Sequence, residues 1–541
     1  MGLVSEEGIA AHYEHDIPSC EGDSKPQQEL QEQHQAHQND HRYRHGLAHG
    51  GTVTEKGHMF QESADGETQK LFLPRPTTDP RDPLSWPTWR KHSAMFSVCC
   101  FVFMSNYITV SLSPVLVAII EEFQITADQS SYLITVNLLF LGLGNLFWVP
   151  LAEKIGKRPV LVTCSLLYFL FSIWAALAKG YGSFLGARIL QGFSASAAEA
   201  LGPAVVGDLY FTHERGFFMS FYLLMFTVGV SLGGIWSGLI ANATPHWRWV
   251  LWHDTILTGV VFLVIIMFVA ETNFKRPTEN ESGEGMPKAE LLVIRARGGR
   301  SWIKSLSFTT WYDREFSIWW LWWRPWLTLR LPAVWFAILT YGVCLGWQII
   351  QSSINGVVFP ALYNFSPLGV GNISCAYLVA SFVGCWAGGP FLDWLTGQIT
   401  RRRGGYFIPE FRLWAMIPPS IIFPAGLLMY GGGLENRLHY MVPIVGSAIG
   451  YAIVCVVPSI GMTYVLDCYR PLSGETMTMV TAAKNVFGFA ISFAAFPWLQ
   501  RDGYLKVSGI QVLVQGVVFL FTIPMYIYGV RLRQWTSKFL V

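Results

Sequence analysis

One acidic residue, Glu199, lies in the middle of a long apolar stretch of the sequence, residues 184–209. A carboxylate at the centre of a membrane helix costs roughly 2.5 to 3.5 kcal/mol on insertion scales, so it usually faces water, a partner or a ligand. At about 100° per residue, Arg188 lies within about 20° of Glu199, with Gln191 beside them and about 16 Å of axial rise between the charges. We expect this stripe to face an aqueous cavity, where Glu199 accepts a proton or meets a cationic group. The alternative is a structural contact with a neighbouring helix.

A second polar face recurs at helical spacing in the apolar residues 331–357 and is expected to line the same cavity. Its members are Gln348, Gln351, Ser352 and Asn355. Three other residues are weaker candidates, because aromatic residues in membrane helices more often serve packing. They are Asn106, Tyr107 and Tyr451. Lys484 lies in another apolar stretch and needs water or a counter-charge, for which Asp467 or Glu475 is expected.

The composition explains why these residues must be placed by membrane helices. Of the 541 residues, 52% are hydrophobic, 15% aromatic and 14% charged, whereas soluble domains carry about 25% charged residues. The net charge of +2 gives no sign of a nucleic-acid partner. The nine cysteines form no C-x-x-C pair, and we expect neither a metal nor a cofactor. With no signal-peptide pattern in the first 90 residues, the first membrane helix is expected to direct insertion.

Twelve stretches are long enough to cross a hydrocarbon core of about 30 Å, which takes roughly 20 apolar residues. They lie near 94–118, 131–152, 159–179, 184–209, 217–240, 249–270, 331–357, 369–395, 412–431, 441–466, 476–499 and 509–530. An even number of spans places both termini on one side. Most Lys and Arg of the short connections fall on that side, which predicts cytosolic termini.

Three glycosylation sequons fall in or beside loops that this topology places outside the cytosol. Their acceptor residues are Asn242, Asn364 and Asn372. Pro367 follows the second sequon and weakens it.

The spans divide the chain into four segments. Residues 1–90 have too few large apolar groups to offset the entropy of ordering a core, so a disordered cytosolic tail is expected. A six-helix bundle follows in 91–270, then a polar cytosolic loop in 271–330 and a second six-helix bundle in 331–535. Six Trp among charges near 311–326 predict a helix at the membrane interface.

An internal repeat relates the two bundles. The segment from Pro150 to Arg158 after the second span resembles the one from Pro390 to Arg403 after the eighth span in the order and chemistry of its residues. The fourth and tenth spans also end alike, each at an Asp followed by Glu and Gly. Repeats six helices apart imply two bundles related by a pseudo-two-fold axis along the membrane normal, with a solute site between them.

These motifs resemble those of the major facilitator superfamily. Pro150 to Arg158 is similar to the superfamily's cytosolic loop motif, in which an acid, a Gly and paired basic residues latch the bundles together. The run Arg188-Ile-Leu-Gln191-Gly192 is similar to its motif in the fourth helix, and the segment from Asp79 to Lys91 resembles the one before the first helix in fungal drug:proton antiporters. The resemblance covers about residues 70–535. It departs at Val149, where the loop motif usually begins with Gly, and at Gly233-Gly234, where the antiporter motif usually reads Gly-Pro.

The resemblance implies an all-α membrane protein and assigns roles to several residues. Arg188 is expected to serve proton coupling or structure, the alternative being a side chain that snorkels to the outer boundary. A larger set at the cytosolic helix ends is expected to act in gating, or to form static surface salt bridges worth under about 1 kcal/mol. The set comprises Glu153, Lys154, Gly156, Lys157, Arg158, Asp208, Glu214, Arg215, Asp393, Asp467, Glu475 and Lys484.

No enzyme signature is found, and there is no G-x-x-x-x-G-K-[ST] loop for ATP. The first hypothesis is a monomeric, proton-coupled exporter of small organic compounds such as drugs or secondary metabolites. Its location is the cell membrane, with the vacuolar membrane as the alternative. The second hypothesis is uptake of a small cation such as a polyamine, motivated by Glu199 and the missing Gly-Pro. A transporter-like receptor that signals through residues 271–330 is the third.

Overall fold

Apolar stretches of about 20 residues or more favour helices that satisfy every backbone group internally, and such helices dominate the structure. The computed structural model describes residues 51–53, 59–62, 68–72, 77, 79, 81–274, 286–287, 306, 312, 317–402, 408–469, 472–493 and 495–537. The described chain forms two units, a small one before residue 72 and a large helical one.

The small unit consists of short strands. Strands β1 (Gly51–Val53), β2 (Met59–Glu62) and β3 (Thr68–Phe72) pair in order, each antiparallel to the next. Thr52 lies opposite Phe60, and Gln61 lies opposite Gln69. These strands fall in the tail for which disorder is expected, and most other residues of that tail lie outside the described part. A further strand, β4, spans only Met286–Pro287.

The N-terminal half of the large unit holds the first six spans. They are α1 (Thr88–Ser111) continued by α2 (Leu116–Phe123), α3 (Ala127–Ile155), α4 (Lys157–Leu177), α5 (Tyr181–Leu209), α6 (Thr212–Ala243) and α7 (Arg248–Phe268). A 3-10 turn, Ser113–Val115, separates α1 from α2 because Pro114 lacks the N–H that a continuous helix needs.

The C-terminal half begins with a short helix, α8 (Ile318–Leu327), within the segment predicted to lie at the interface. The six spans that follow are α9 (Pro332–Tyr363), α10 (Pro367–Trp386) extended by α11 (Leu392–Arg402), α12 (Ile417–Glu435), α13 (Met441–Cys468), α14 (Ser473–Phe493), and α16 (Tyr504–Leu520) with α17 (Thr522–Ser537). A short α15 (Ala495–Asp502) precedes the last span.

Ten of the described helical segments are long and apolar enough to cross a membrane by length and composition. Two others, α5 and α14, have 29 and 21 residues. Both carry charged residues within their length, Arg188 and Glu199 on α5 and Glu475 and Lys484 on α14. With these two, the described residues hold the twelve spans that the sequence predicts.

The helix contacts follow the predicted repeat. The two halves meet where α3 packs against α14 and where α6 packs against α10. These are the second and eleventh spans and the fifth and eighth, and a shift of six helices exchanges one pair for the other. Contacts within the halves correspond as well, since α1 packs on α6 as α9 packs on α14. The fold is therefore two six-helix bundles related by pseudo-two-fold symmetry.

Candidate functional site

A buried ion pair joins the two halves. Lys484 on α14 donates from Nζ to Oε1 of Glu199 on α5. Asn485 Nδ2 donates to the other carboxylate oxygen at 3.0 Å. Glu199 is 5% exposed and Lys484 is 1% exposed. Both oxygens of Glu199 are thus bound by the C-terminal half, which agrees with the structural-contact alternative for this residue.

The counter-charge expected for Lys484 is corrected by this geometry. Asp467 pairs with Arg412 and Glu475 pairs with Arg324, whereas Lys484 lies with Glu199. A helix of 21 residues spans about 30 Å, and Lys484 is three turns from its start, beyond the reach of charges at that end.

Aromatic side chains surround the Lys484 ammonium. Tyr341 of α9 accepts a hydrogen bond from Nζ at 3.2 Å, and its ring centroid lies 4.5 Å from the same atom. Phe226 of α6 presents its ring at 5.3 Å. On the other side of the pair, Tyr222 donates to the backbone carbonyl of Glu199 at 2.8 Å. The ion pair and its aromatic neighbours therefore link the two halves directly.

Arg188 is fully buried and holds the N-terminal bundle together. Its Nε donates to the carbonyl of Leu133 at 3.0 Å, and Nη1 donates to Gln191 Oε1 at 3.0 Å and to the carbonyl of Ile108 at 3.4 Å. Asn137 in turn donates to the Arg188 carbonyl at 2.9 Å. With 0% exposure, Arg188 does not snorkel to the membrane boundary. Arg188 and Glu199 share a helix, and their hydrogen bonds run to different partners.

The polar face of α9 is buried in a hydrogen-bonded network of the C-terminal half. The network runs from Gln351 through Ser447 and Tyr377 to Asn355 and Tyr430, with distances of 2.7 to 2.9 Å. Gln348 is buried beside it, and the Ser352 carbonyl accepts from Ser113 of the other half at 3.2 Å. The helical spacing thus identified one polar face, and the structure turns much of it toward α10, α12 and α13. Its role in solute binding stays a prediction.

The three weaker candidates have separate environments. Asn106 donates to the carbonyl of Val102 in its own helix at 2.8 Å. Tyr107 lies with its hydroxyl 3.5 Å from His253 Nδ1. Tyr451 reaches across the halves, since its hydroxyl donates to the Thr227 carbonyl at 3.0 Å. Of these three residues, Tyr451 is the one whose side chain hydrogen-bonds across the two bundles within the described part of the chain.

Most residues expected to act in gating lie at one end of the helices. We call this the proximal end, and α1 begins there. Lys157 pairs with Asp208, joining the start of α4 to the end of α5. Glu271, beyond α7, accepts from the backbone N–H groups of Lys157 and Arg158 at 3.0 and 3.1 Å. Gly156 directly precedes Lys157 and has a φ of +110°. A Cβ at this position would lie 2.3 Å from Glu271 Oε2. The motif's glycine is therefore required both by backbone conformation and by space.

The C-terminal half repeats this arrangement with other residues. Arg412, just before α12, binds Asp467 at the end of α13 at 2.7 Å and Asp393 at 3.3 Å. Glu410 accepts two hydrogen bonds from Arg533 at 2.8 and 2.9 Å. In each half, the start of the third helix of the bundle is tied to the ends of the fourth and sixth helices. At the end of the sixth helix, the charged residue is an acid, Glu271, in the N-terminal half and an arginine, Arg533, in the C-terminal half.

The remaining gating candidates lie at the same end. Lys154 Nζ is 4.9 Å from the ring centroid of Tyr312. Glu475 binds Arg324 of α8 at 2.6 Å. Glu153 and Glu214 each make at least one contact of the hydrogen-bonding or electrostatic kind. The side chain of Arg215 lies outside the described residues.

Four residues of this end were not singled out from the sequence, namely Glu271, Arg324, Glu410 and Arg533. The repeat was the signal for Glu271, Glu410 and Arg533, because each lies near a helix end that corresponds, six helices away, to one that carries a charged contact. Arg324 lies on α8, outside the repeat.

We expect Glu271→Ala to destabilise the N-terminal bundle by about 1.5 kcal/mol or more, because three backbone N–H groups lose a charged acceptor. Burial raises the pKa of the Glu271 carboxyl above its usual value. Glu271→Gln, which keeps one acceptor oxygen, should lose less. Thermal unfolding in detergent, followed by fluorescence-detected size-exclusion chromatography, measures both, and equal midpoints for the Ala variant and the unmodified chain would contradict the assigned role.

The sequon residues are exposed at the distal end, opposite the proximal one. Asn242 lies in the last turn of α6, and Asn364 caps α9 in the left-handed conformation. Asn372 is exposed within α10, while the Ser374 of its sequon is buried. A single end thus holds all three side chains.

Comparison with known proteins identifies the family. A sequence profile described as the Major Facilitator Superfamily matches residues 95–497, more than half of the chain. The chain belongs to the major facilitator superfamily. A major facilitator transporter of Schizosaccharomyces pombe, itself uncharacterised, is 27% identical over 525 residues, which cover 86% of this chain and 89% of the relative. A probable efflux pump of Aspergillus flavus is 27% identical over 443 residues, covering 78% of this chain and 98% of the relative.

Solved structures give the same fold. The xylose transporter XylE from E. coli, in a partially occluded inward-open conformation, has a TM-score of 0.54 and 13% identity, covering 81% of this chain and 99% of XylE. Membership of the superfamily makes the chain a multi-pass membrane protein of the secondary transporter type, a type that carries small-molecule solutes.

Within this major facilitator protein, the Gly233-Gly234 pair separates two close helix contacts. A Cβ on Gly233 would lie 2.3 Å from the carbonyl oxygen of Tyr107 in the same bundle. A Cβ on Gly234 would lie 2.2 Å from the Ser374 hydroxyl in the other half. The departure from Gly-Pro thus gives one small residue to each side of α6.

Proposed function

We propose that this chain is a proton-coupled secondary active transporter that exports small organic compounds. The proposal rests on one observation above all: the buried carboxylate Glu199 on one half is held by the ammonium of Lys484 on the other. Alternating access moves the two halves relative to each other. An ion pair across that boundary must rearrange, and protonation of the acid is the simplest way to release it.

The charge balance favours proton coupling over binding of a solute cation. Glu199 already has a cation, Lys484, and a neutral donor, Asn485. A cationic solute would have to displace Lys484, which would then be left buried without a counter-charge at a cost of several kcal/mol. A proton needs no such displacement. Uptake of a small cation such as a polyamine therefore remains the second candidate.

The direction of transport is supported by similarity alone. A relative that the chain covers almost in full is named a probable efflux pump. By the distribution of basic residues, the proximal end faces the cytosol, with both termini there and the exposed sequon asparagines outside. We further propose a glycosylated monomer in the cell membrane, with the vacuolar membrane as the alternative.

Accumulation assays test this proposal in cells that express or lack the chain. We expect cells that express the chain to accumulate less rhodamine 6G, a fluorescent amphipathic probe, than cells that lack it. Radiolabelled spermidine provides the opposing arm, because greater uptake with the chain present would favour the second candidate. Dependence of either flux on external pH and its loss with a protonophore report the coupling. Rhodamine 6G is one member of a substrate panel, and export of no member of the panel would contradict the efflux proposal.

A further inference from the structure

A second buried acid, Asp254, lies on α7 within the N-terminal bundle. It is 2% exposed. Its Oδ2 accepts a hydrogen bond from the Ser111 hydroxyl at 2.7 Å. Its Oδ1 is buried and has no hydrogen-bond partner among the described residues. Glu199 differs in this respect, because both of its oxygens are bound. A carboxylate that serves packing alone would be expected to engage both oxygens, since an unsatisfied buried acceptor is costly.

An unsatisfied donor lies in the same bundle. Arg188 Nη2 is buried without a hydrogen-bond partner in the described part of the chain, although Nε and Nη1 are bound. Arg188 interacts electrostatically with both Asp254 and Tyr168. The buried acid and the buried base each keep one atom without a hydrogen bond, and no direct hydrogen bond joins them in the described part of the chain. Such a pair responds to the arrival of a proton or a water molecule.

The surroundings of Asp254 offer a path for a proton. His253 Nδ1 lies 3.5 Å from Asp254 Oδ1, and the His253 side chain is 31% exposed. The hydroxyl of Tyr107 lies 3.5 Å from the same His253 nitrogen. The imidazole therefore lies between a partly exposed position and the buried carboxylate, and an imidazole can both accept and donate a proton.

The groups that face Asp254 come from each neighbouring helix. Helix α1 contributes Tyr107 and Ser111, α4 contributes Tyr168, and α5 contributes Arg188. Helix α6 has no Asp, Glu, His, Lys or Arg between residues 217 and 243. Arg188 is thus the strongly basic group of this set, and His253 is its imidazole.

We propose that Asp254 is a second proton-carrying carboxylate of this transporter, loaded through His253. The imidazolium of His253 gives its Nδ1 proton to Asp254 Oδ1, which leaves a neutral imidazole and a neutral carboxylic acid. A hydronium ion from solution then reprotonates the imidazole and leaves water. Loss of the Asp254 charge weakens its attraction for Arg188, which lies on the same helix as Glu199, eleven positions earlier. The proton is thereby linked to the helix that carries the ion pair between the halves. This inference rests on the proton coupling in the proposed function.

Infrared difference spectroscopy of the purified full chain in lipid tests the proposal without any solute. Between acidic and neutral buffer, we expect a band in the C=O stretching region of carboxylic acids. One component of the band should be lost in Asp254→Asn, shift in frequency in Asp254→Glu, and persist in Glu199→Gln. An unchanged band in Asp254→Asn, or no titrating band in the unmodified chain, would overturn the proposal. Asp254→Glu keeps the test decisive if the Asn variant does not fold.

The role of His253 has its own readout. In His253→Gln the band should remain, while its appearance after a rapid pH jump should slow by about 10²-fold, as expected for loss of a general acid. An unchanged rate would exclude His253 from the path. Because neither measurement uses transport, failure of the accumulation assays would leave the result for Asp254 intact. Conversely, rhodamine 6G export that depends on pH, together with an unaltered Asp254→Asn spectrum, would reject only this inference.

Discussion

Replacing Glu199 with Gln is expected to abolish pH-dependent transport and to destabilise the protein by about 3 to 5 kcal/mol. The stability cost arises because the variant leaves Lys484 buried without a counter-charge. Lys484→Met should cost a similar amount, since it leaves the carboxylate alone. Thermal unfolding and proton flux in proteoliposomes measure the two effects separately.

The double variant Glu199→Gln with Lys484→Met distinguishes a functional pair from a structural one. Removing both charges of a buried pair is often neutral for stability, so the unfolding midpoint should return close to that of the unmodified chain. Transport coupled to protons should stay absent, because no titrating group remains at the site. Recovery of stability together with coupled transport would mean that the pair serves folding alone.

An exposed acid supplies the matched control. Glu121→Gln removes the same charge at an exposed position of α2, where single substitutions usually change stability by less than about 0.5 kcal/mol. Proton-coupled transport at the normal rate in Glu121→Gln would show that removing an acid elsewhere in the chain does not abolish coupling.

Gly233→Val is expected to disrupt the packing of the N-terminal bundle severely. Even the first carbon of its side chain would lie 2.3 Å from the carbonyl oxygen of Tyr107, which belongs to the backbone and cannot rotate away. Helices α1 and α6 must then separate, and the cost of such overpacking is about 3 kcal/mol. We expect little folded, monodisperse protein in size-exclusion chromatography.

Gly516→Ala provides the comparison within another membrane helix. A Cβ at Gly516 would meet nothing within 4 Å, and Ala favours the helix by roughly 0.5 to 1 kcal/mol over Gly. Its unfolding midpoint should therefore equal or exceed that of the unmodified chain. A Gly233→Val protein as stable as Gly516→Ala would refute the close approach of α1 and α6.

The membrane helices and their repeat could be predicted from the sequence because both depend on local patterns. A run of apolar residues has to form a helix in lipid whatever surrounds it. Motifs repeated six helices apart require matching positions in two bundles. These properties determined the superfamily, the twelve spans and the set of charged residues at the proximal end. The spacing on α5 likewise placed Glu199 and Arg188 on one stripe, which is expected to face an aqueous cavity, whereas the structure buries both side chains.

Tertiary structure alone decided which of these residues meet. Lys484 lies 285 positions from Glu199, and no local pattern fixes how far each helix is rotated about its axis. The pairing of Glu271 with the backbone at Lys157, and of Asp254 with Ser111, depends on the same rotations. A sequence records that a buried charge needs a partner, since desolvation is costly. The packing of helices from both halves chooses that partner.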